Sequence, residues 1–140
     1  MSALDDLAAR DLLHRASGAR ESAYAPYSGF AVGAAVLFDD GEIVSGANVE
    51  NASFSATICA ERVALTTGIV SGHHRVRAIA VVTSQRVTPP CGVCLQVISE
   101  FADADTAIVM DDGGAPVIQL FSQLLGSPFQ PASGVLRRQS

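Results

Sequence analysis

Lysine is absent from this chain, basic residues are outnumbered, and cysteine occurs only three times in 140 residues. Each shortage closes off a class of protein. All positive charges are Arg, nine of them against 14 Asp and Glu, for a formal net charge of −5. The absence of lysine points to no function, but the distribution of the arginines does. Arg137-Arg138 is the only tight basic pair, so there is no basic stripe of the kind that holds polynucleotide phosphates, and no nucleic-acid partner is expected. No run approaches the roughly 18 apolar residues of a membrane span. Met1 to Arg20 carries charges throughout and has no long apolar stretch, so neither a secretory signal nor an arginine-rich presequence is expected. An odd cysteine count argues against a disulfide framework, and reduced thiols fit a cytoplasmic protein. With no internal repeat, linker or low-complexity segment, residues 1–140 read as one domain, long enough for its own core.

The three cysteines are concentrated in two runs, Cys59-Ala60-Glu61-Arg62 and Pro90-Cys91-Gly92-Val93-Cys94. Three thiolates form a soft donor set that suits Zn²⁺ and leaves a fourth tetrahedral position open. A structural site would fill that position with protein. Here no fourth Cys exists, and His14, His73 and His74 lie beside neither run and read as surface residues. Glu61, two residues after Cys59, is the kind of group that moves protons to and from an activated water. Buried thiols are common in cores, and a lone Cys-x-x-Cys also suits a redox pair. Neither reading calls for a third Cys upstream with a Glu beside it. The two-part pattern resembles the three-cysteine form of the zinc nucleobase deaminase signature. One zinc per chain is therefore expected on Cys59, Cys91 and Cys94, with Glu61 catalytic. Zinc with three thiolates carries a net charge of −1 and needs compensating positive charge. Helix N-termini supply part of it, and Arg62 can donate hydrogen bonds to thiolate sulfur.

Periodicity and turn chemistry outline the fold. Leu7, Leu12, Leu13, Ala16 and Ala19 recur near helical spacing and predict a helix over about Ala3 to Ala23. Tyr24-Ala25-Pro26-Tyr27-Ser28-Gly29 is a break. Phe30 to Phe38 and Ile43 to Ala47 read as strands joined by the hairpin signal Asp39-Asp40-Gly41-Glu42. A helix follows over Cys59 to about Ser71, with Val63, Ile69 and Val70 on one broad face. Then come a central strand over Ala78 to Thr83, a helix over Cys91 to Phe101 and a strand over Thr106 to Met110. The Asp111-Asp112-Gly113-Gly114 turn leads to a strand over Pro116 to Leu120 and a short helix to about Leu125. The link between the last two strands is too short for a parallel return, so they pair antiparallel. The expected architecture is a three-layer α/β/α domain on a five-stranded mixed sheet. Both cysteine runs open helices, so two helix N-termini should face one point and favour thiolates there.

Beyond these elements the chain resembles the small, homotetrameric, zinc-dependent cytidine deaminases of pyrimidine salvage. The likeness runs from Tyr24 to about Phe129. It includes Tyr24-Ala25-Pro26-Tyr27-Ser28-Gly29-Phe30, Gly46-Ala47-Asn48-Val49-Glu50-Asn51-Ala52-Ser53-Phe54 and both zinc runs. The resemblance implies hydrolytic deamination of cytidine and 2′-deoxycytidine, with Asn48 and Glu50 on the ribose. Phe30 and Ala60 would border the nucleoside, and Phe129, in Leu124-Leu125-Gly126-Ser127-Pro128-Phe129, would enter a neighbouring subunit's site. The chain departs from the family at Leu95, where Arg is frequent, at Phe54, where Tyr is usual, and at Gly126 and Gln130. Two other readings remain open: a deaminase of an aminonucleoside antibiotic such as blasticidin S, and a non-catalytic zinc-stabilised binding module. Asn48-Val49-Glu50 favours a plain ribose over the first, and the open coordination position argues against the second. Composition is in keeping with assembly. The hydrophobic class is 49% with 12 glycines still uncounted, against ~45–50% with glycine included in ordinary domains.

Overall fold

A computed structural model of the chain describes residues 4–130. The helix start expected at Ala3 and the Arg137-Arg138 pair lie outside them. The elements in order are α1 (Asp6–Arg20), β1 (Gly33–Phe38), β2 (Ile43–Ala47), a 3₁₀ turn (Phe54–Ala56), α2 (Ala60–Val70), β3 (Val76–Val82), α3 (Gly92–Ser99), β4 (Ala102–Asp112), β5 (Ala115–Leu120) and α4 (Phe121–Leu124). The five strands form one sheet in the order β2-β1-β3-β4-β5. All neighbours are antiparallel except β3 and β4, which run parallel with α3 in the crossover between them. Local chemistry sets both hairpins. Gly41 takes φ +92° between β1 and β2, and Gly113 and Gly114 take +65° and +98° between β4 and β5, a region open to glycine at little cost.

Side chains alternate across the strands and make two cores. On one face α1 packs Ala9, Leu12, Leu13 and Ala16 onto Ala35, Ala78, Ala80, Val82, Ala107 and Val109. On the other, α2, α3 and α4 cover Val36, Phe38, Ile79, Val81, Ile108 and Met110. The layers are therefore α/β/α, as expected. Glycine sets how close the helices come. A Cβ on Gly33 would lie 1.9 Å from the Ala16 carbonyl oxygen of α1, and one on Gly46 would lie 2.7 Å from the Ala64 nitrogen of α2.

Several boundaries and faces differ from the sequence reading, each for a local reason. β1 starts at Gly33 rather than Phe30, because side chains take much of the main chain before it: Asn48 bonds the Phe30 carbonyl and the Val32 N–H, and Arg20 bonds the Ala31 carbonyl. β4 starts at Ala102 rather than Thr106. Its register shifts against β3 between Val76 and Ala78, where the buried Thr106 hydroxyl donates to the Val76 carbonyl. Leu7 of α1 and Val70 of α2 face solvent, and small residues (Ala9 in α1; Ala60, Ala64 and Gly68 in α2) take the buried positions. His73 is half-buried, its ring tilted against Phe38 and its Nδ1 2.6 Å from Asp40 Oδ2.

Candidate functional site

Both cysteine runs sit at helix starts. Cys59 is the N-cap of α2 and Cys91 the N-cap of α3, with Cys94 in the first turn. Pro89 and Pro90 precede the second cap, which suits a chain entering a helix from extended backbone. Neither helix has a side-chain cap bond at this end, so first-turn N–H groups remain to face the sulfurs. The three sulfur atoms lie within 4.8 Å of one another. Tetrahedral zinc–thiolate bonds of about 2.3 Å place sulfurs about 3.8 Å apart, so the trio fits zinc with a small contraction. Among the described residues no other group of three or more His, Cys, Asp or Glu could hold a metal ion.

The electrostatics follow from this crowding. Donation from the Cys94 thiol, then from Arg62, holds the Cys59 thiol down at about 5. The same bond, together with burial, pushes Cys94 up, so of this pair Cys59 carries the charge. An Arg62 terminal nitrogen donates to Cys59 Sγ at 3.5 Å and to the Thr57 carbonyl at 3.2 Å. Its Nε is buried without a hydrogen-bond partner among the described residues. A guanidinium held this close offsets part of the thiolate charge. Glu61 is 4% exposed, and removal from water pushes its carboxyl up to about 6. It therefore sits near the pKa at which a carboxyl both accepts and returns a proton at neutral pH.

Above the cysteines lies a cavity of about 260 Å³ lined by Phe30, Asn48, Glu50, Cys59, Ala60, Glu61 and Cys91 among others. That is just under the ~300–1,000 Å³ of ordinary small-molecule sites. A recess of about 310 Å³ carrying Tyr27, Asn51 and Phe54 adjoins it through Ser28, Glu50 and Thr57. Val49 stitches the far wall together. It exchanges both main-chain bonds with Ile58, the residue before Cys59, and forms a parallel bridge with Tyr24. Asn48 and Glu50, one residue to either side, thus come to the same cavity. The Asn48 amide accepts from the Val32 N–H and donates to the Phe30 carbonyl, both at 2.9 Å. Glu50 Oε1 accepts from the Tyr27 and Ser28 N–H groups at 2.9 and 3.0 Å, and Oε2 accepts from the Ser28 hydroxyl. The hydroxyl bond is the main cause holding the Glu50 carboxyl below its usual range. A carboxylate has about four acceptor sites, so roughly one is left for a ligand.

Seven expected residues therefore line one cavity, with Cys94 buried behind them and Arg62 beside Cys59. Phe129 lies apart from the cavity, 80% exposed. Leu95, where the family often has Arg, is buried in the core beside Ile98. The sequence reading did not single out Ser28, Thr57, Thr83 or Thr88, which also line the cavity. The Thr83 and Thr88 hydroxyls are 3.0 Å apart across the loop that leads to Cys91. Val87 in that loop holds φ +47°, a strained value for a β-branched residue, and its N–H is fixed by the Asp111 carbonyl at 2.9 Å. Only the turn-forming character of Ser28 was visible in the sequence; the Thr83–Thr88 contact leaves no local pattern.

The profile of the family described as "Cytidine and deoxycytidylate deaminase zinc-binding region" matches residues 8–110. A cytidine deaminase of Halalkalibacterium halodurans is 46% identical over 120 residues, covering 84% of this chain and 91% of that protein. The crystal structure of cytidine deaminase from Burkholderia pseudomallei superposes with a TM-score of 0.79 at 40% identity, covering 85% of this chain and 97% of that one. A blasticidin-S deaminase of Bacillus cereus is more distant, 30% identical over 103 residues, covering 67% of this chain and 73% of that protein.

Proposed function

The chain belongs to the cytidine and deoxycytidylate deaminase family and is a zinc-dependent hydrolytic deaminase, and on that footing we propose that it converts cytidine and 2′-deoxycytidine to uridine and 2′-deoxyuridine, releasing ammonia. The proposed setting is pyrimidine salvage in the cytoplasm, with residues 1–140 as one catalytic domain. Among the described residues no helix is long and apolar enough to cross a membrane. The observation that carries the reading is the buried Glu61 carboxyl next to three sulfurs within 4.8 Å of one another, at the floor of a cavity of nucleoside scale.

Cys59, Cys91 and Cys94 would hold the zinc, which supplies the Lewis acidity that makes water a nucleophile near neutral pH. Glu61 takes one proton of the attacking water and passes it to ring nitrogen N3, then takes the proton of the new C4 hydroxyl and delivers it to the amine, which leaves as ammonia as the C4 carbonyl forms. Its raised pKa suits both directions of transfer. Ala60, fully buried at the first turn of α2, and Phe30 border the base. Asn48 and Glu50 present remaining hydrogen-bonding capacity to ribose hydroxyls, and Asn48 also fixes the wall that carries Phe30. Arg62 offsets thiolate charge.

A second part of the proposal is a homotetramer in which Phe129 of one chain closes a neighbour's site. Support comes from the Phe129 ring, exposed and outside its own chain's cavity, and from apolar side chains left exposed nearby: Tyr27 and Phe54 in the adjoining recess, and Tyr24, Val49 and Ile58 on the bridged wall. The test is a zinc assay together with ultraviolet loss of cytidine absorbance, run beside blasticidin S and alongside light scattering. About one zinc per chain, cytidine turnover and about four chain masses are expected. Cys94→Ala should lose zinc and turnover together. Full activity in metal-free protein, or turnover of blasticidin S alone, would end the reading.

A further inference from the structure

The C-terminal end of the described chain is fastened at one point. Beyond α4 the Leu125 N–H still bonds back to the Phe121 carbonyl. Across residues 126–130, the main-chain hydrogen bonds seen among the described residues are both at Phe129, and both go to the side chain of Gln96. Gln96 Nε2 donates to the Phe129 carbonyl at 3.0 Å, and Gln96 Oε1 accepts from the Phe129 N–H at 3.2 Å. One primary amide thus meets both the donor and the acceptor of one residue, much as Asn48 does for Phe30 and Val32 on the cavity wall. Gln96 lies on α3, two residues after Cys94, so the segment is registered to the helix that carries two of the cysteines.

We propose that Gln96 is a positioning residue that holds the Phe129 main chain on α3 and so presents the Phe129 ring outward, to the site of a second copy of the chain. The inference rests on the reading of Phe129 given above. An aromatic ring 80% exposed on its own chain gains from a partner, and its affinity for one depends on how much freedom is lost on docking. Gly126, without a Cβ, lets the chain pivot after α4, and Pro128 restricts only itself and Ser127. The amide clamp removes that freedom beforehand. Gln96 reaches neither the substrate cavity nor a cysteine sulfur in the contacts described, so its effect passes through Phe129.

The experiment compares wild type, Gln96→Ala, Phe129→Ala and the double variant for KM and kcat with cytidine, zinc per chain and mass by light scattering. Phe129→Ala should raise KM. Gln96→Ala should raise it in the same direction by about three- to tenfold, the range expected from losing one net hydrogen bond, with zinc content unchanged and kcat moved much less than KM. The double variant should match Phe129→Ala alone, because a clamp with no ring to hold has no further effect. An unchanged KM in Phe129→Ala overturns the shared-site reading and this inference with it. A raised KM in Phe129→Ala with an unaffected Gln96→Ala, or with effects that multiply in the double variant, overturns the role of Gln96 alone. Zinc loss in Gln96→Ala also overturns it, since Gln96 would then act through α3 and the cysteines.

Discussion

On one face of the sheet α1 rests on Ala35, Ala78, Ala80 and Ala107; on the other, α2, α3 and α4 cover Phe38, Ile79, Ile108 and Met110. Alanine, with Gly33, lets a single helix come close to the sheet. On the opposite face larger side chains lie under three shorter helices, and two of these, α2 and α3, begin near the C-terminal end of β3. The gap at those helix starts is the cavity, where helix N–H groups and thiols meet. One face is thus a support, while the other couples packing to chemistry. This is where open α/β sheets commonly bind ligands, outside the carboxyl ends of strands.

The comparison is sharpened first at Glu61. Glu61→Gln keeps all three sulfurs, so zinc content should hold while kcat falls about 10²- to 10⁴-fold; a fall under about tenfold would remove Glu61 from proton transfer. Next is the core beneath the site. Ile108→Ala empties a fully buried position on that face and should cost about 2–5 kcal/mol in denaturant unfolding, with a fall in activity near the melting range. On the alanine face, Ala78→Leu should cost about 1–3 kcal/mol by overpacking against α1, with zinc content and kcat at 25 °C unchanged. Equal loss of kcat in the Ala78 and Ile108 variants would break the contrast between the faces.

The smallest effect lies at the rim of the site face, where Asp40 accepts from the Glu42 N–H and pairs with His73. These bonds, the Glu42 N–H first, hold the Asp40 carboxyl below 3.8. A carboxylate lowered by folding adds stability above its unfolded pKa and loses it as pH falls through the folded value. Asp40→Asn should therefore lower the melting temperature slightly at pH 7, and the difference from wild type should vanish in strong acid. A difference that grew as pH fell would show that the pairing does not stabilise the fold.

The elements that carry the chemistry were legible because each had a local cause. Cys59 and Cys91 open helices, Gly41 and Gly113-Gly114 turn hairpins, and β3 reads as a central strand from its unbroken apolar run. The bulge before Thr106 was not legible, since Ala and Asp are poor strand formers and the pairing there rests on Val76, whose N–H donates to the Phe101 carbonyl and whose carbonyl accepts from the Thr106 hydroxyl. Val70 misled because it keeps helical spacing, yet the close approach of Phe38 to Gly68 puts the small side of α2 inward. Asn48, Gln96 and Thr83 act through bonds to residues distant along the chain or across a loop, and such partners leave no periodicity to read.

The order of strands in the sheet also bears on how the chain folds. β1 with β2, and β4 with β5, are hairpins closed by residues 39–42 and by Gly113-Gly114, and hairpins of this kind form in about 1–10 μs. β3 lies between them and pairs with both, across the long segments that contain α2 and α3. Closing those loops costs chain entropy before any pairing repays it. Refolding should therefore proceed from two preformed ribbons to a late insertion of the middle strand. Pulse-labelled hydrogen exchange should protect the Val36 and Val117 amides, which face their hairpin partners Val44 and Met110, before that of Ala80, and early protection of Ala80 would reverse the order. Because Cys59 and Cys91 flank β3 in the chain, a molecule stalled before that insertion has most of its hairpin pairing and no place to do chemistry.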